Sequence, residues 1–336
     1  MAENSKIGWT THTANWWGGC TKVSPGCANC YAEHATPSRK FHIEWGRGAP
    51  RHLFTSTAHT VAKLNRAAKR EGEAWWRLHD SHAGTDPGTP PTTQRVFWQS
   101  LSDWLDPEVP IEWLADMLEC VHGATSLYHL MLTKRPQLWR ERMNQVIVHV
   151  ESRPDVTEEF NLWLTEWMEG DAPINVMVMT SCEDQERADL RVPQLLAIPA
   201  HRRGISAEPL LGPINWTATA RHFTAIDWVI LGGESGPDAR PCHMNWISDS
   251  QRQLAELGVP CFVKQLGAIP ALPEENWIRH AERFGRNLKD AIPIPGTNLV
   301  RWPLADRKGE DLSEWPEAFR VQEDPRDHRE SRLTCG

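Results

Sequence analysis

Three cysteines, Cys20, Cys27 and Cys30, stand within eleven residues in the segment NWWGGCTKVSPGCANCYAEHA, Asn15 to Ala35, with the spacing C-x6-C-x2-C. Thiolates bind zinc or iron–sulfur clusters, and a C-x2-C pair lets two sulfurs reach one centre from a tight turn. Gly18, Gly19, Pro25 and Gly26 let the chain wrap around such a centre. Structural zinc takes four ligands, so a zinc site needs a fourth, and His34 or His12 is the candidate. A four-iron cluster held by three cysteines instead leaves one iron open to a further ligand. The other five cysteines (Cys120, Cys182, Cys242, Cys261 and Cys335) are scattered, and without a secretion signal a disulfide framework is not expected.

A second set of candidates lies where short apolar runs end. The runs are RVFWQSLSD (Arg95 to Asp103), LYHLMLTKR (Leu127 to Arg135), INVMVMTSCED (Ile174 to Asp184), RGISAEP (Arg203 to Pro209), DWVILGGES (Asp227 to Ser235) and VPCFVKQLG (Val259 to Gly267). Continuous rather than alternating apolar character is expected of parallel strands covered on both faces. Helices are expected at Ile111 to Val121 after Pro110, at Val156 to Met168, and at Trp246 to Leu257 before a capping Gly258. With a further strand around Ile7 to Trp17 this makes about seven β/α units, an α/β chain forming a complete or partial (β/α) barrel.

In such a barrel the chemistry sits at the C-terminal rim of the strands. That rim offers Ser100, Ser102 and Asp103; Thr133, Lys134 and Arg135; Thr180, Ser181 and Glu183; Ser206 and Glu208; Gly232, Gly233, Glu234 and Ser235; and Lys264 with Gln265. The bland reading is that Glu183 and Glu208 pair with Lys134 or Lys264, while Arg187 and Arg191 fall on the following helix. The barrel is expected over 1–303, with an insertion at about 38–94 that joins a basic helix at His59 to His79 to a Gly/Pro/Thr-rich loop, Asp80 to Gln94. A charged, partly mobile tail is expected at 304–336.

Composition bounds the function. The chain has 336 residues, 40% hydrophobic and 24% charged, which excludes collagen-like, coiled-coil and largely disordered classes. No apolar run reaches the roughly 20 residues that span a bilayer, so a cytoplasmic protein without a membrane partner is expected. Net charge is −8, yet Ser38 to Arg70 holds eight basic residues against Glu44 alone. That local +7, with Trp45 and Phe54 interleaved, points to nucleic acid or a nucleotide, against the commoner reading of a solvated helix face. The 18 tryptophans are assigned mostly to packing. No G-x-S-x-G elbow, P-loop or H-E-x-x-H is present, so hydrolase, nucleotide-cradling and zinc-protease readings have no motif.

Three cysteines in a loop after the first strand of a β/α barrel resemble the arrangement of radical S-adenosylmethionine enzymes. The blocks NWWGGCTKVSPGCANCYAEHA, YHLMLTKRPQ, SCEDQERADLRVPQLLAIPA, ISAEPLLGPI, DWVILGGESGPDARP and VPCFVKQLG resemble the phage gp-thirty-seven/gp-sixty-eight family, a three-cysteine-motif group that is radical-S-adenosylmethionine-like. The resemblance runs from about Ile7 to Gly267 and implies a [4Fe-4S] cluster on Cys20, Cys27 and Cys30. It also implies S-adenosylmethionine as cosubstrate, a reductant such as flavodoxin or ferredoxin, and a separate three-cysteine-motif partner protein in the host cytoplasm. On that reading Glu183, Glu208, Lys134 and Lys264 are the candidate catalytic residues. Tyr31, Ser102, Asp103, Ser181, Gly232, Gly233 and Glu234 are the candidate cofactor contacts.

The sequence departs from the better-known enzymes of that class in two places. Their C-x3-C-x-aromatic-C motif is replaced by a longer first gap with Tyr31 after the third cysteine, and Gly232-Gly233-Glu234 follows a much later strand than their glycine-rich stretch. The alternative is a zinc-binding protein, with three cysteines and a histidine holding a structural ion and the basic stretch binding nucleic acid.

Overall fold

The computed structural model describes residues 3–79, 94–218, 225–277 and 292–325. Its strands are, in chain order, β1 (His12–Ala14), β2 (Trp17–Gly18), β3 (His52–Leu53), β4 (Arg95–Trp98), β5 (Tyr128–Thr133), β6 (Val176–Ser181), β7 (Arg202–Ala207), β8 (Trp228–Gly232), β9 (Cys242–His243), β10 (Cys261–Gln265), β11 (Pro270–Pro273), β12 (Ile292–Pro293) and β13 (Leu299–Arg301). The seven expected strands supply one seven-stranded parallel sheet in the order β1-β4-β5-β6-β7-β8-β10. Apolar composition decides this: β6 and β8 are buried at every position, as strands covered on both faces must be.

The order ends at β1 and β10 rather than joining them, so the sheet is open and fits the partial form of a β/α barrel, not the complete one. The reason lies after β10. There, among the described residues, no eighth parallel strand follows; the chain turns into β11, which pairs antiparallel with β13 and parallel with β9 in a separate four-stranded sheet.

The helices are α1 (Tyr31–His34), α2 (Thr36–Lys40), α3 (Thr57–His79), α4 (Ile111–Gly123), α5 (Trp139–Glu151), α6 (Glu158–Glu169), α7 (Gln185–Leu196) and α8 (Met244–Glu256). α6 starts where the Thr157 side chain accepts the Phe160 N–H and stops at Gly170, whose φ of 120° a residue with a Cβ resists. α8 stops at Gly258, φ 63°, in the capping position the sequence marked. α5 carries no such end signals, although Trp139, Met143, Val146 and Val150 give it one buried face.

Contacts divide the chain into two compact units. The first comprises Met1–Lys22, Ala32–Met179 and Ala197–Arg202, and the second Val23–Tyr31, Thr180–Leu196 and Arg203–Gly336. Cys20 therefore belongs to the first unit, whereas Cys27 and Cys30 lie in the short excursion Val23–Tyr31 that belongs to the second. In the first unit α4, α5 and α6 pack around Leu118, Met143, Val146, Phe160 and Leu164, with Trp163 and Trp167 edge to face at 5.2 Å. The basic helix of the expected insertion is α3; the loop Asp80 to Gln94 lies, apart from Gln94, outside the described residues.

In the second unit the described part of the expected tail, residues 304–325, packs against the rest of the unit, and 326–336 lie outside the described residues. Trp315 and Phe319 are buried, and the chain runs along β10 with Val263 N–H donating to Val321 O at 2.8 Å and Glu323 N–H to Cys261 O at 3.0 Å. An edge strand exposes unpaired backbone groups, and this segment covers them. Ten tryptophans are among the most fully buried side chains, as the assignment to packing expects. Among the described residues no helix is long and apolar enough to cross a membrane.

Candidate functional site

In the first unit β2 pairs antiparallel with β3 and delivers the chain to Cys20 through Gly19. Gly19 has φ 99°, and a Cβ there would stand 2.9 Å from Glu44 O, so this turn admits only glycine. The Cys20 sulfur receives both terminal N–H groups of Arg135, with Nη1 at 3.5 Å and Nη2 at 3.6 Å. Arg135 also donates to Thr21 O at 2.7 Å and pairs with Asp103 at 2.9 Å, both side chains being almost fully buried.

Asp103 is in turn saturated. It accepts Thr133 Oγ1 (2.7 Å) and Leu105 N–H (3.0 Å) on one oxygen, and Lys134 N–H (2.8 Å) with Arg135 on the other. A second buried pair, Arg51 with Asp106 at 2.9 Å, holds the other side of the turn, since Arg51 Nη2 also donates to Thr21 Oγ1 at 2.9 Å. Burial, with Asp103 and Asp106 adding to it against the pull of Arg135, pushes the Cys20 thiol up to about 12. Burial opposes the charge on Arg135 too, but Asp103, Cys20 and Asp106 outweigh it and hold the guanidinium more firmly protonated than usual. Without a bound metal Cys20 is a neutral thiol at pH 7, and a metal ligand must lose that proton.

In the second unit the loop that carries Cys27 and Cys30 is tied down by carboxylates. Glu183, two residues past β6, accepts Gly26 N–H at 3.2 Å and is paired with Arg191 of α7 at 2.8 Å, with the carboxylate fully buried. Gly26 is needed at this approach, because a Cβ there would lie 3.0 Å from the Glu183 carboxyl. Glu234, two residues past β8, accepts Asn29 Nδ2 at 3.1 Å and is gripped by Arg240 through its backbone N–H and Nε, each at 2.8 Å, and Nη2 at 2.6 Å. Burial acts to raise the Glu234 pKa, yet the hydrogen bonds from Arg240 and Asn29 outweigh it and the net shift is downward. Glu208, one residue past β7, pairs with Lys264 of β10 at 2.5 Å.

A family model described as a protein of unknown function, DUF5131, matches residues 4–293. The chain belongs to the DUF5131 family. Neither a curated protein nor a solved structure matches it. The DUF5131 match takes in the whole parallel sheet, the three cysteines and all five carboxylate–cation pairs just described.

Several candidates of this DUF5131 chain have structural work. Asp103 serves Arg135, and Ser102 donates to Trp17 O at 3.3 Å. Glu183 pairs with Arg191, while Glu208 and Lys264 form the pair that the sequence allows. Gly232 and Gly233 make room for neighbours, since Cβ atoms there would lie 3.3 Å from the Glu208 carboxyl carbon and 2.3 Å from Leu266 O. Ser181 is buried, its carbonyl accepting Arg191 Nη1 at 2.8 Å; Tyr31 is 51% exposed, and Lys134 is half-buried. Of the histidines considered for zinc, His12 is buried against Gln94 at 2.8 Å and His34 is exposed.

Asn29, Arg240 and the Arg51–Asp106 pair escape the sequence reading, which places Arg191 on the helix where it lies but not its pairing with Glu183. Only Asn29, inside CANC, has a local signal.

The seven described cysteines form no disulfide, so Cys20, Cys27 and Cys30 keep thiols for a metal. Among the described residues no three His, Cys, Asp or Glu side chains gather where a single ion would be held. Three cysteine thiolates are a donor set that zinc and iron–sulfur clusters share, and N–H groups donating to sulfur, as Arg135 does, tune the potential of a cluster.

Proposed function

We propose that this chain holds a [4Fe-4S] cluster on Cys20, Cys27 and Cys30 and acts as a radical S-adenosylmethionine enzyme on nucleic acid or a nucleotide. The observation that carries the reading is three undisulfided thiols in one short stretch of chain, the first of them receiving two N–H donors from a buried arginine. The chemistry such a cluster supplies is one-electron cleavage of S-adenosylmethionine to methionine and a 5′-deoxyadenosyl radical, with the electron from a flavodoxin or ferredoxin type of reductant.

The protein's own residues position and exclude. Arg135, fixed by Asp103, orients Cys20; Glu183 and Glu234, fixed by their arginines, orient the backbone of Gly26 and the side chain of Asn29 on either side of Cys27. Asp103 has no acceptor left for an ammonium group, so that role moves to the Glu208–Lys264 pair, whose side chains keep 17% and 15% exposure. Its opposite charges suit the carboxylate and ammonium of an amino acid. A three-cysteine-motif partner protein belongs to the same proposal.

Anaerobic purification with iron and sulfide analysis, and a dithionite-driven assay for 5′-deoxyadenosine, tests it. The expected result is about four iron and four sulfide per chain, with both iron and product lost in Cys27→Ala. Stoichiometric zinc without iron would replace this reading with the zinc-binding, nucleic-acid-binding alternative.

A further inference from the structure

The chain carries a net −8, of which residues 38–70 contribute +7, leaving −15 on the remainder. Within the first unit this positive stretch contains an aromatic group with an exposed member. Phe41, 43% exposed, stacks on His52 with ring centroids 5.0 Å apart, and Phe54 meets both rings edge-on at 5.5 and 4.9 Å. Arg39 and Lys40 are exposed on the last turn of α2, and Lys40 Nζ stands 5.5 Å from the centre of the Phe41 ring.

Three residues after Phe54 the chain enters α3. Its exposed His59, Lys63, Arg66 and Arg70 recur at steps of four, three and four and so share one helix face. At 1.5 Å per residue they form a basic stripe about 16 Å long. Lys63 is engaged only in an exposed pair with Glu3, while Arg51 is buried on Asp106 and takes no part.

This surface adjoins the entry to the cysteine stretch. Ile43 and Phe54 lie against Gly18, where a Cβ would come within 2.6 and 3.2 Å of them, and Gly46 N–H donates to Cys20 O at 3.0 Å. A simple solvated helix face explains the charges of α3 but not a 43% exposed phenylalanine stacked on His52 and edge-on to Phe54 in the same basic stretch of chain.

We infer that this face binds single-stranded nucleic acid, a base stacking on Phe41 and the phosphates following Arg39, Lys40 and the stripe on α3. Stacking on an aromatic ring needs an unstacked base, which a duplex withholds and a single strand offers. Lys40, on a flexible exposed stem, swings from the ring to a phosphate. Binding stands on this surface alone; that the bound strand is the substrate rests on the radical reading above.

The test is fluorescence anisotropy on the anaerobically purified full chain with fluorescein-labelled dT20, U20 and a 20-base-pair duplex at two salt concentrations. Both single strands are expected to bind more tightly than the duplex, and the tighter of the two names DNA or RNA. Phe41→Ala should weaken single-strand binding about tenfold. Arg39→Gln with Lys40→Gln should lower the slope of log K against log salt by about 1.4. Circular dichroism checks the folding of both variants, and Arg252→Glu, on α8 of the second unit, should bind as the parent does.

Absent single-strand binding at low salt, or binding indifferent to Phe41→Ala in a folded variant, overturns the inference. So does displacement of dT20 by poly-glutamate at equal charge, which would assign the face to an acidic polypeptide. A chain that lacks iron yet binds dT20 through Phe41 keeps this inference and removes the radical reading. A chain that makes 5′-deoxyadenosine and ignores both single strands does the reverse.

Discussion

The two units treat their cysteines in opposite ways with the same parts. Each places a carboxylate in the segment after a strand of the sheet and pairs it with a buried or half-buried arginine. In the first unit the arginine faces the sulfur and the carboxylate stands behind it, as in Asp103–Arg135–Cys20. In the second the carboxylate faces the loop and the arginine stands behind, as in Arg191–Glu183–Gly26 and Arg240–Glu234–Asn29. The difference follows from what each must hold. A sulfur accepts hydrogen bonds and calls for a donor, whereas a tight turn leaves backbone N–H groups over and calls for an acceptor. Each buried charge is neutralised by its neighbour, so neither unit sets a bare charge beside a thiol.

The largest effect should come from removing the rear member of each device. Asp103→Ala leaves Arg135 buried without its ion-pair partner, and Glu183→Ala does the same to Arg191; each should cost about 3 to 5 kcal/mol in denaturant unfolding. Where the damage appears is the sharper readout. Mass-spectrometric mapping of alkylated cysteines should show Cys20 exposed first in Asp103→Ala and Cys27 first in Glu183→Ala. Equal gains at every cysteine in both variants would mean that the two devices are not separate.

Acid should also tell the units apart. In the first, burial holds His129 neutral with its pKa lowered to about 4, its ring accepting Trp98 Nε1–H. The unfolded chain protonates that histidine below about 6.5, so the unfolded state binds more protons there. Stability in this unit therefore falls as the pH drops from about 6.5 to about 4, by on the order of 3 kcal/mol. In the second unit Glu234 is shifted downward, so its contribution is full above the ordinary value of 4.5 and is lost as the pH falls through its lower folded value. Deuterium uptake, corrected for intrinsic rates, should rise in β5 from pH 6.5 downward and in Val23–Tyr31 only below about 4.5. A common onset would erase the distinction.

The glycines test the contacts at closer range. Gly26→Ala drives a Cβ to 3.0 Å from a carboxyl that Arg191 prevents from swinging away, a clash worth about 1 to 3 kcal/mol. Adding Glu183→Asp, which withdraws the carboxyl by one carbon, should recover part of that loss. Gly19→Ala should show no such rescue by any side-chain change, because its obstacle is the backbone oxygen of Glu44 together with a positive φ. Thermal unfolding of the single and double variants decides both cases.

What the sequence discloses divides along physical lines. Strands such as VMVMTS and WVILG are written in continuous apolar residues, and Gly170 or Gly258 mark helix ends by a conformation that glycine favours. The cysteines are legible because their spacing is local. The carboxylates past the strand ends are legible as places, but their partners are not. Arg191 lies eight residues from Glu183 on a helix, and Arg135 lies 115 residues from Cys20, so only the fold brings each pair together. Arg51 shows the reverse error: it counts toward a basic surface in the sequence and is buried in an ion pair in the fold. The antiparallel β11 and β13 are short and bear no alternation to announce them.

The smallest expected effect is the most direct on the comparison. If an arginine facing the sulfur is what distinguishes the first unit, it should act on a cluster bound through Cys20 as a hydrogen-bond donor, favouring the reduced, more negative state. Arg135→Gln keeps an N–H near that position but removes the charge, and it leaves Asp103 facing Cys20 with less to oppose it. The midpoint potential, read by electron paramagnetic resonance during redox titration, should fall by roughly 40 mV, the one-electron equivalent of a hydrogen bond worth about 1 kcal/mol. Glu183→Gln, which still accepts Gly26 N–H, should move it far less. If the two variants shift the potential alike, the arginine only shapes the turn, and the contrast between the units is one of packing rather than of cluster chemistry.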